Sequence, residues 1–190
     1  MIAIIQYNAG NILSVYNAID RLGYDCIITN DHKKIKDADK VIFPGVGEAF
    51  SSMKYLRSNK LDKLIQNLEQ PVLGICLGMQ LMCNSSEEGP TQCLKIFPND
   101  VVRFKNNDLV PHMGWNNFES ADTKLLKGVK ISDDLYYVHS YYVEVGESTT
   151  AICNYQINFS SIIENENFFG TQFHPEKSSL IGRSEEHTSE

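Results

Sequence analysis

Along the first half of the chain two patterns alternate. Short strand-like runs, IAII at 2–5, YDCIIT at 24–29, KVIF at 40–43 and VLGI at 72–75, have the length and branched composition of buried strands. Between the first two lies NILSVYNAIDRLG, residues 11–23, where Ile12, Val15, Tyr16, Ile19 and Leu22 recur at helical spacing and Gly23 stands where a helix would end. Residues 48–70 also read as helical, in two pieces that part near Ser58 and Asn59. Strand, helix and strand in succession open a βαβ unit. Apolar strands separated by helices predict an α/β fold with a mostly parallel sheet covered on both faces.

After about residue 90 the pattern changes to VVRF, LYYVHSYYVEV, TAICNY, FSSIIEN and NFFGTQF, separated by turns such as FPND, VGES and NEN. These predict hairpin strands that extend the core as an antiparallel or mixed sheet. No repeat or low-complexity linker divides the 190 residues, which suit one domain.

Charge and cysteine usage narrow the function classes. The formal net charge is -7 and the 17 Lys and Arg are dispersed, so there is no basic field for a nucleic-acid backbone. Five cysteines in an odd, widely spaced set without a CxxC pair suggest neither a disulfide framework nor a thiolate metal site, and point to a reducing, cytoplasmic setting. No metal or cofactor is expected. The N-terminal MIAIIQYNAG lacks the features of a secretion signal, and no run approaches the roughly 18 apolar residues of a membrane span.

The stretch GICLGMQ, residues 74–80, carries the chemistry. Cys76 follows the apolar strand and has Gly74 and Gly78 two places to either side, the relief that a sharp strand-to-helix nucleophile turn needs. A packed core cysteine is the competing reading. A base would come from His174 in GTQFHPEKS, at a strand end stopped by Pro175, with Glu176 two residues on to orient the ring. Stabilisation of an oxyanion would fall to the turn PGVG at 44–47, through Val46 and Gly47, and to the amide of Leu77. His112 and His139 lie in aromatic surroundings and read as structural or partner-facing.

Taken together, GICLGMQLM, PGVG, PHMGWN, YYVHSYY and GTQFHPEKS resemble the class I glutamine amidotransferases, and within them the branch that feeds a separate cyclase in histidine biosynthesis. The resemblance runs from Ile2 to about Gly182. It implies a flavodoxin-like sheet and hydrolysis of glutamine through a thioester on Cys76, with His174 as base and Glu176 orienting it. The ammonia would pass into a (β/α)8-barrel cyclase subunit, whose products are imidazole glycerol phosphate and an aminoimidazole carboxamide ribotide. By the same resemblance Gln80, Ser140 and Tyr141 hold the amino-acid end of glutamine, while Asn11, Trp115, Tyr136 and Lys177 meet the cyclase. A glutaminase serving another synthase, a γ-glutamyl hydrolase or cysteine peptidase, and a non-catalytic relative are the alternatives.

The chain departs from the family at two places. Gln156 in NYQINF stands where the family usually has glycine. Residues 183–190, RSEEHTSE, have no apolar face where the family continues with a last amphipathic helix. The expectation is a domain over 1–182 lacking that helix, followed by a disordered, foreign tail over 183–190.

Overall fold

A computed structural model describes residues 1–105 and 109–178. The expectations for residues 179–190 lie outside the described residues.

The first half runs β1 (Ile2–Ile5), α1 (Ile12–Arg21), β2 (Cys26–Thr29), α2 (His32–Lys36), β3 (Lys40–Phe43), α3 (Ala49–Ser58), α4 (Leu61–Gln66), β4 (Val72–Ile75) and α5 (Leu77–Met82). The strands pair in parallel in the order β2-β1-β3-β4. Alternate residues of each strand serve opposite faces. Ile4 and Ile42 join Val15 and Ile19 of α1 on one side, while Ile5 and Phe43 join Met53, Leu56, Leu64 and Ile65 of α3 and α4 on the other. Each such side chain contributes about 1.5–3 kcal/mol on full burial, so the two helical layers hold the sheet from both faces.

Two caps set where helices begin. The Asp31 carboxylate accepts from the amides of Lys33 and Lys34 at 2.8 and 3.0 Å, and Glu48 accepts from Phe50 and Ser51 at 2.9 and 2.7 Å. The polar stretch containing α2 shows no helical stripe because only Ile35 in it is buried. The break at 58–60 is a real one: Lys60 takes a left-handed φ of 57° before α4.

The second half comprises β5 (Ser85–Ser86), β6 (Thr91–Gln92), β7 (Asp100–Arg103), β8 (His112–Asn116), β9 (Phe118–Ala121), β10 (Leu135–His139), β11 (Tyr141–Val143), β12 (Thr149–Tyr155), β13 (Ile157–Asn165) and β14 (Phe168–Thr171). Among the described residues the main sheet continues β4-β14-β13-β11-β7-β5-β6, with β12 and β9 extending from β13. Phe104, Tyr137, Tyr142, Phe159 and Phe173 pack as a separate aromatic cluster beneath this part.

Two features differ from the sequence pattern. LYYVHSYYVEV reads as one strand but divides at Ser140: β10 pairs antiparallel with β8 in a small sheet of its own, and β11 pairs with β7 and β13. The segment NFFGTQF joins the hairpin region through β13 yet runs parallel to β4, with Thr171 opposite Ile75. That register brings Cys76 and the residues after Thr171 out at the same carboxyl end of adjacent parallel strands, where α/β sheets place their sites. The amide of Cys76 donates to the Thr171 carbonyl at 2.7 Å and locks the two together.

Candidate active site

Cys76 sits at φ 51° and ψ -106°, between β4 and α5. A non-glycine residue with positive φ is strained, and here the strain turns the side chain off the end of the sheet. The flanking glycines are sterically required. A Cβ on Gly78 would lie 1.8 Å from the Phe43 carbonyl oxygen, and one on Gly74 would lie 2.7 Å from the amide nitrogen of Met79. Close approach of α5 to β3 and β4 thus explains the GxCxG spacing.

His174 follows β14 and is held by its backbone on both sides. Its amide donates to the Tyr136 carbonyl at 2.9 Å, and its carbonyl accepts from the Ser178 hydroxyl at 2.7 Å. Nδ1 lies 2.8 Å from Oε1 of Glu176, and both side chains are almost wholly buried. The short 3-10 turn Pro175–Lys177 places Glu176 beneath the ring. Nε2 is buried with no hydrogen-bond partner, so it is the nitrogen left for proton transfer. Burial opposes a charged imidazole, but the neighbouring Cys76 sulfur and Glu176 carboxylate outweigh it and push His174 up to about 10.

A cavity of about 280 Å³ opens over the nucleophile, lined by Val46, Gly47, Cys76, Leu77, Gln80, Glu88, Pro111, Val138, His139, Ser140 and Tyr141. All the residues expected at the oxyanion turn and the glutamine pocket therefore meet in one space. Two of them are engaged differently from the expectation. The Leu77 amide donates to the Gly45 carbonyl at 3.3 Å, because the PGVG turn folds back over the start of α5. Val46 turns its carbonyl to the Gly10 amide at 2.8 Å, which fixes the peptide plane it shares with Gly47. Gly47 itself has φ 151°, open to glycine alone. Of the expected oxyanion donors, the Leu77 amide is thus engaged in this state, whereas at Val46–Gly47 it is the carbonyl that is bonded.

Gln80 donates from Nε2 to the Tyr141 carbonyl at 2.8 Å and to Oε1 of Gln172 at 3.0 Å. Gln172 in turn reaches Sγ of Cys76 with its own Nε2 at 3.6 Å. Gln172 and Glu88 are the two polar residues that the sequence pattern did not single out. Gln172 lies two places before His174, but nothing local shows that its side chain turns to the sulfur. Glu88 holds the Ala49 amide at 2.8 Å, and burial raises its pKa above the usual carboxylate range.

Three of the four residues expected at a partner surface form one group, with Trp115 and Lys177 exposed and Tyr136 half-buried between them. Trp115 is 55% exposed, its ring centroid 5.7 Å from that of Tyr136, and Nζ of Lys177 lies 5.8 Å over the same tyrosine. Asn11 turns its amide inward and donates to Oε1 of Glu176. His112 and His139 prove to be core residues, with Nδ1 of one 3.0 Å from Nε2 of the other. Among the described residues no group of three or more His, Cys, Asp or Glu could hold a metal ion, and no helix is long and apolar enough to cross a membrane.

A strained cysteine that lines a cavity and neighbours a buried His-Glu pair defines a thiol-dependent acyl-transfer site, and the pattern of the family Glutamine amidotransferase class-I matches residues 3–185. The chain belongs to that family. Within it, the chain is 52% identical over 184 residues to the imidazole glycerol phosphate synthase subunit HisH of Bacteroides thetaiotaomicron, covering 95% of this chain and 94% of that one. It is 48% identical over 183 residues to the subunit of the same name from Haemophilus influenzae, covering 95% and 92%. Among solved structures, the PurLQS structure from Thermotoga maritima superposes with a TM-score of 0.69 at 15% identity, over 99% of this chain and 96% of that one, which supports the fold.

Proposed function

We propose that this chain is the glutaminase subunit of an imidazole glycerol phosphate synthase, hydrolysing L-glutamine to glutamate and ammonia for a cyclase subunit. The observation that carries the reading is the meeting of Cys76, His174 and Glu176 at the ends of β4 and β14. Sγ of Cys76 adds to the side-chain carboxamide carbon, and the thiol proton passes by way of Nε2 of His174 to the leaving nitrogen. Ammonia departs and a γ-glutamyl thioester remains. Water, deprotonated by the same Nε2, then releases glutamate and restores the thiol. The amide of Leu77 and the Val46–Gly47 peptide would hold the tetrahedral oxyanion. Glu88 supplies the carboxylate that suits the α-ammonium of the substrate, while Gln80, Ser140 and Tyr141 form the polar wall for its other groups.

The Trp115, Tyr136 and Lys177 group lies next to the relay, since Lys177 adjoins Glu176 and Tyr136 holds the His174 amide. An aromatic and cationic patch of this kind suits the cyclase interface. Five free cysteines fit a reducing cytoplasm.

Glutamine hydrolysis by the chain mixed with a cyclase subunit tests the reading. Cys76→Ala and His174→Ala are expected to abolish turnover, whereas Cys83→Ala and Cys153→Ala, at buried packing positions, keep it. An acyl adduct trapped on a cysteine other than Cys76, or no turnover by the unaltered pair, overturns it.

A further inference from the structure

Asn11 is the residue before α1, where an asparagine ordinarily accepts a hydrogen bond from an amide of the first helical turn. It does not do so here. Its backbone is left-handed, with φ 68° and ψ 5°, and its side chain makes no cap bond. Asparagine is one of few non-glycine residues that tolerate this conformation. Nδ2 instead donates to Oε1 of Glu176, a residue 165 positions away.

That oxygen is the one already bound to Nδ1 of His174 at 2.8 Å. The other oxygen, Oε2, is buried without a partner, and the Glu176 side chain has no exposed surface. A carboxylate held only through the histidine could rotate about its last torsion and offer either oxygen, because that torsion is broad. A second donor on Oε1 removes this freedom and compensates part of the charge left in a dry site.

From this we infer that Asn11 is a positioning residue of the glutaminase relay: its amide fixes which oxygen of Glu176 meets His174, and so aims Nε2 at the nucleophile. The inference deepens the glutaminase reading and rests on it for the turnover arm of its test. It assigns Asn11 a different task from the partner contact expected of it, because its amide is directed inward.

Two variants separate the tasks. Asn11→Gly keeps the left-handed backbone and removes only the amide; Asn11→Asp keeps the shape and sets an acceptor against Glu176. At saturating cyclase, kcat for glutamine should fall about 10- to 100-fold in both, the range for lost orienting partners, with KM and melting temperature near those of the unaltered chain. The rate of Cys76 alkylation by iodoacetamide, measured on the chain alone, should fall in parallel. Unchanged kcat and alkylation in both variants overturn the inference, as does a loss confined to cyclase affinity. Absence of turnover in the unaltered complex would count against the glutaminase reading alone, since the alkylation arm still decides the role of Asn11.

Discussion

The amide of Leu77, the residue after the nucleophile, donates to the carbonyl of Gly45 at 3.3 Å. A donor used in this way cannot also hold a developing oxyanion. The neighbouring Val46–Gly47 peptide has its orientation fixed through its carbonyl, which accepts from the Gly10 amide at 2.8 Å. The isolated chain should therefore turn over glutamine slowly, and addition of the cyclase subunit should raise kcat by about 100-fold or more, the scale of one oxyanion donor. Steady-state glutaminase assays with and without the cyclase check this. Full activity of the chain alone would mean that the Leu77 amide is released without help.

Gly78 is the tightest point of the nucleophile turn. An added Cβ would meet the Phe43 carbonyl at 1.8 Å, and a backbone atom in the middle of a sheet cannot yield. Gly78→Ala should push α5 away from β3 at a cost of about 3 kcal/mol or more. The melting temperature and the glutaminase rate should drop together. A variant of normal stability would show that α5 can shift freely.

His112 and His139 give stability a pH dependence of known sign. Burial holds His112 down at about 4, and burial followed by the His112 ring holds His139 at about 3. The His139 Nδ1 proton goes to the Tyr141 carbonyl at 2.8 Å, so its Nε2 accepts from Nδ1 of His112. Unfolded rings titrate near 6.5, so below that pH the unfolded state binds more protons. Stability then falls as the pH drops, by up to ~1.4 kcal/mol per unit for each ring, and levels off below the folded values. His174 acts in the opposite sense: its contribution is complete below 6.5 and is lost as pH rises through about 10. Denaturant midpoints between pH 4 and 7 should show the acid slope, reduced in His112→Gln. A flat profile would place both rings in contact with water.

Gln156 joins β12 to β13 with a φ of 61°. This explains why glycine suits the position, and the Gln156 side chain offsets part of the strain by donating to the Leu109 carbonyl at 3.4 Å. Gln156→Gly relieves a left-handed cost of roughly 1–2 kcal/mol and adds chain entropy to the unfolded state. A net gain of about 0.5–1 kcal/mol in chemical denaturation is expected. A loss would mean that the hydrogen bond outweighs the backbone strain.

The parallel core strands, the helix at 12–21, the division of residues 48–70 into two helices and the glycine-flanked nucleophile turn were all legible in the order of residues. These follow from local spacing, because the period of apolar residues sets which face is buried and a Cβ clash sets where glycine must stand. The pairing of His174 with Glu176 was also legible, since only Pro175 separates them. Tertiary structure alone decided the rest. It divided the run at Ser140 between two sheets, inserted β14 beside β4, turned Asn11 onto Glu176 across 165 positions and brought Gln172 to Cys76 across 96. Local patterns encode burial and conformation, but a polar side chain's partner depends on which strand ends the sheet brings together, and no window of neighbouring residues contains that register.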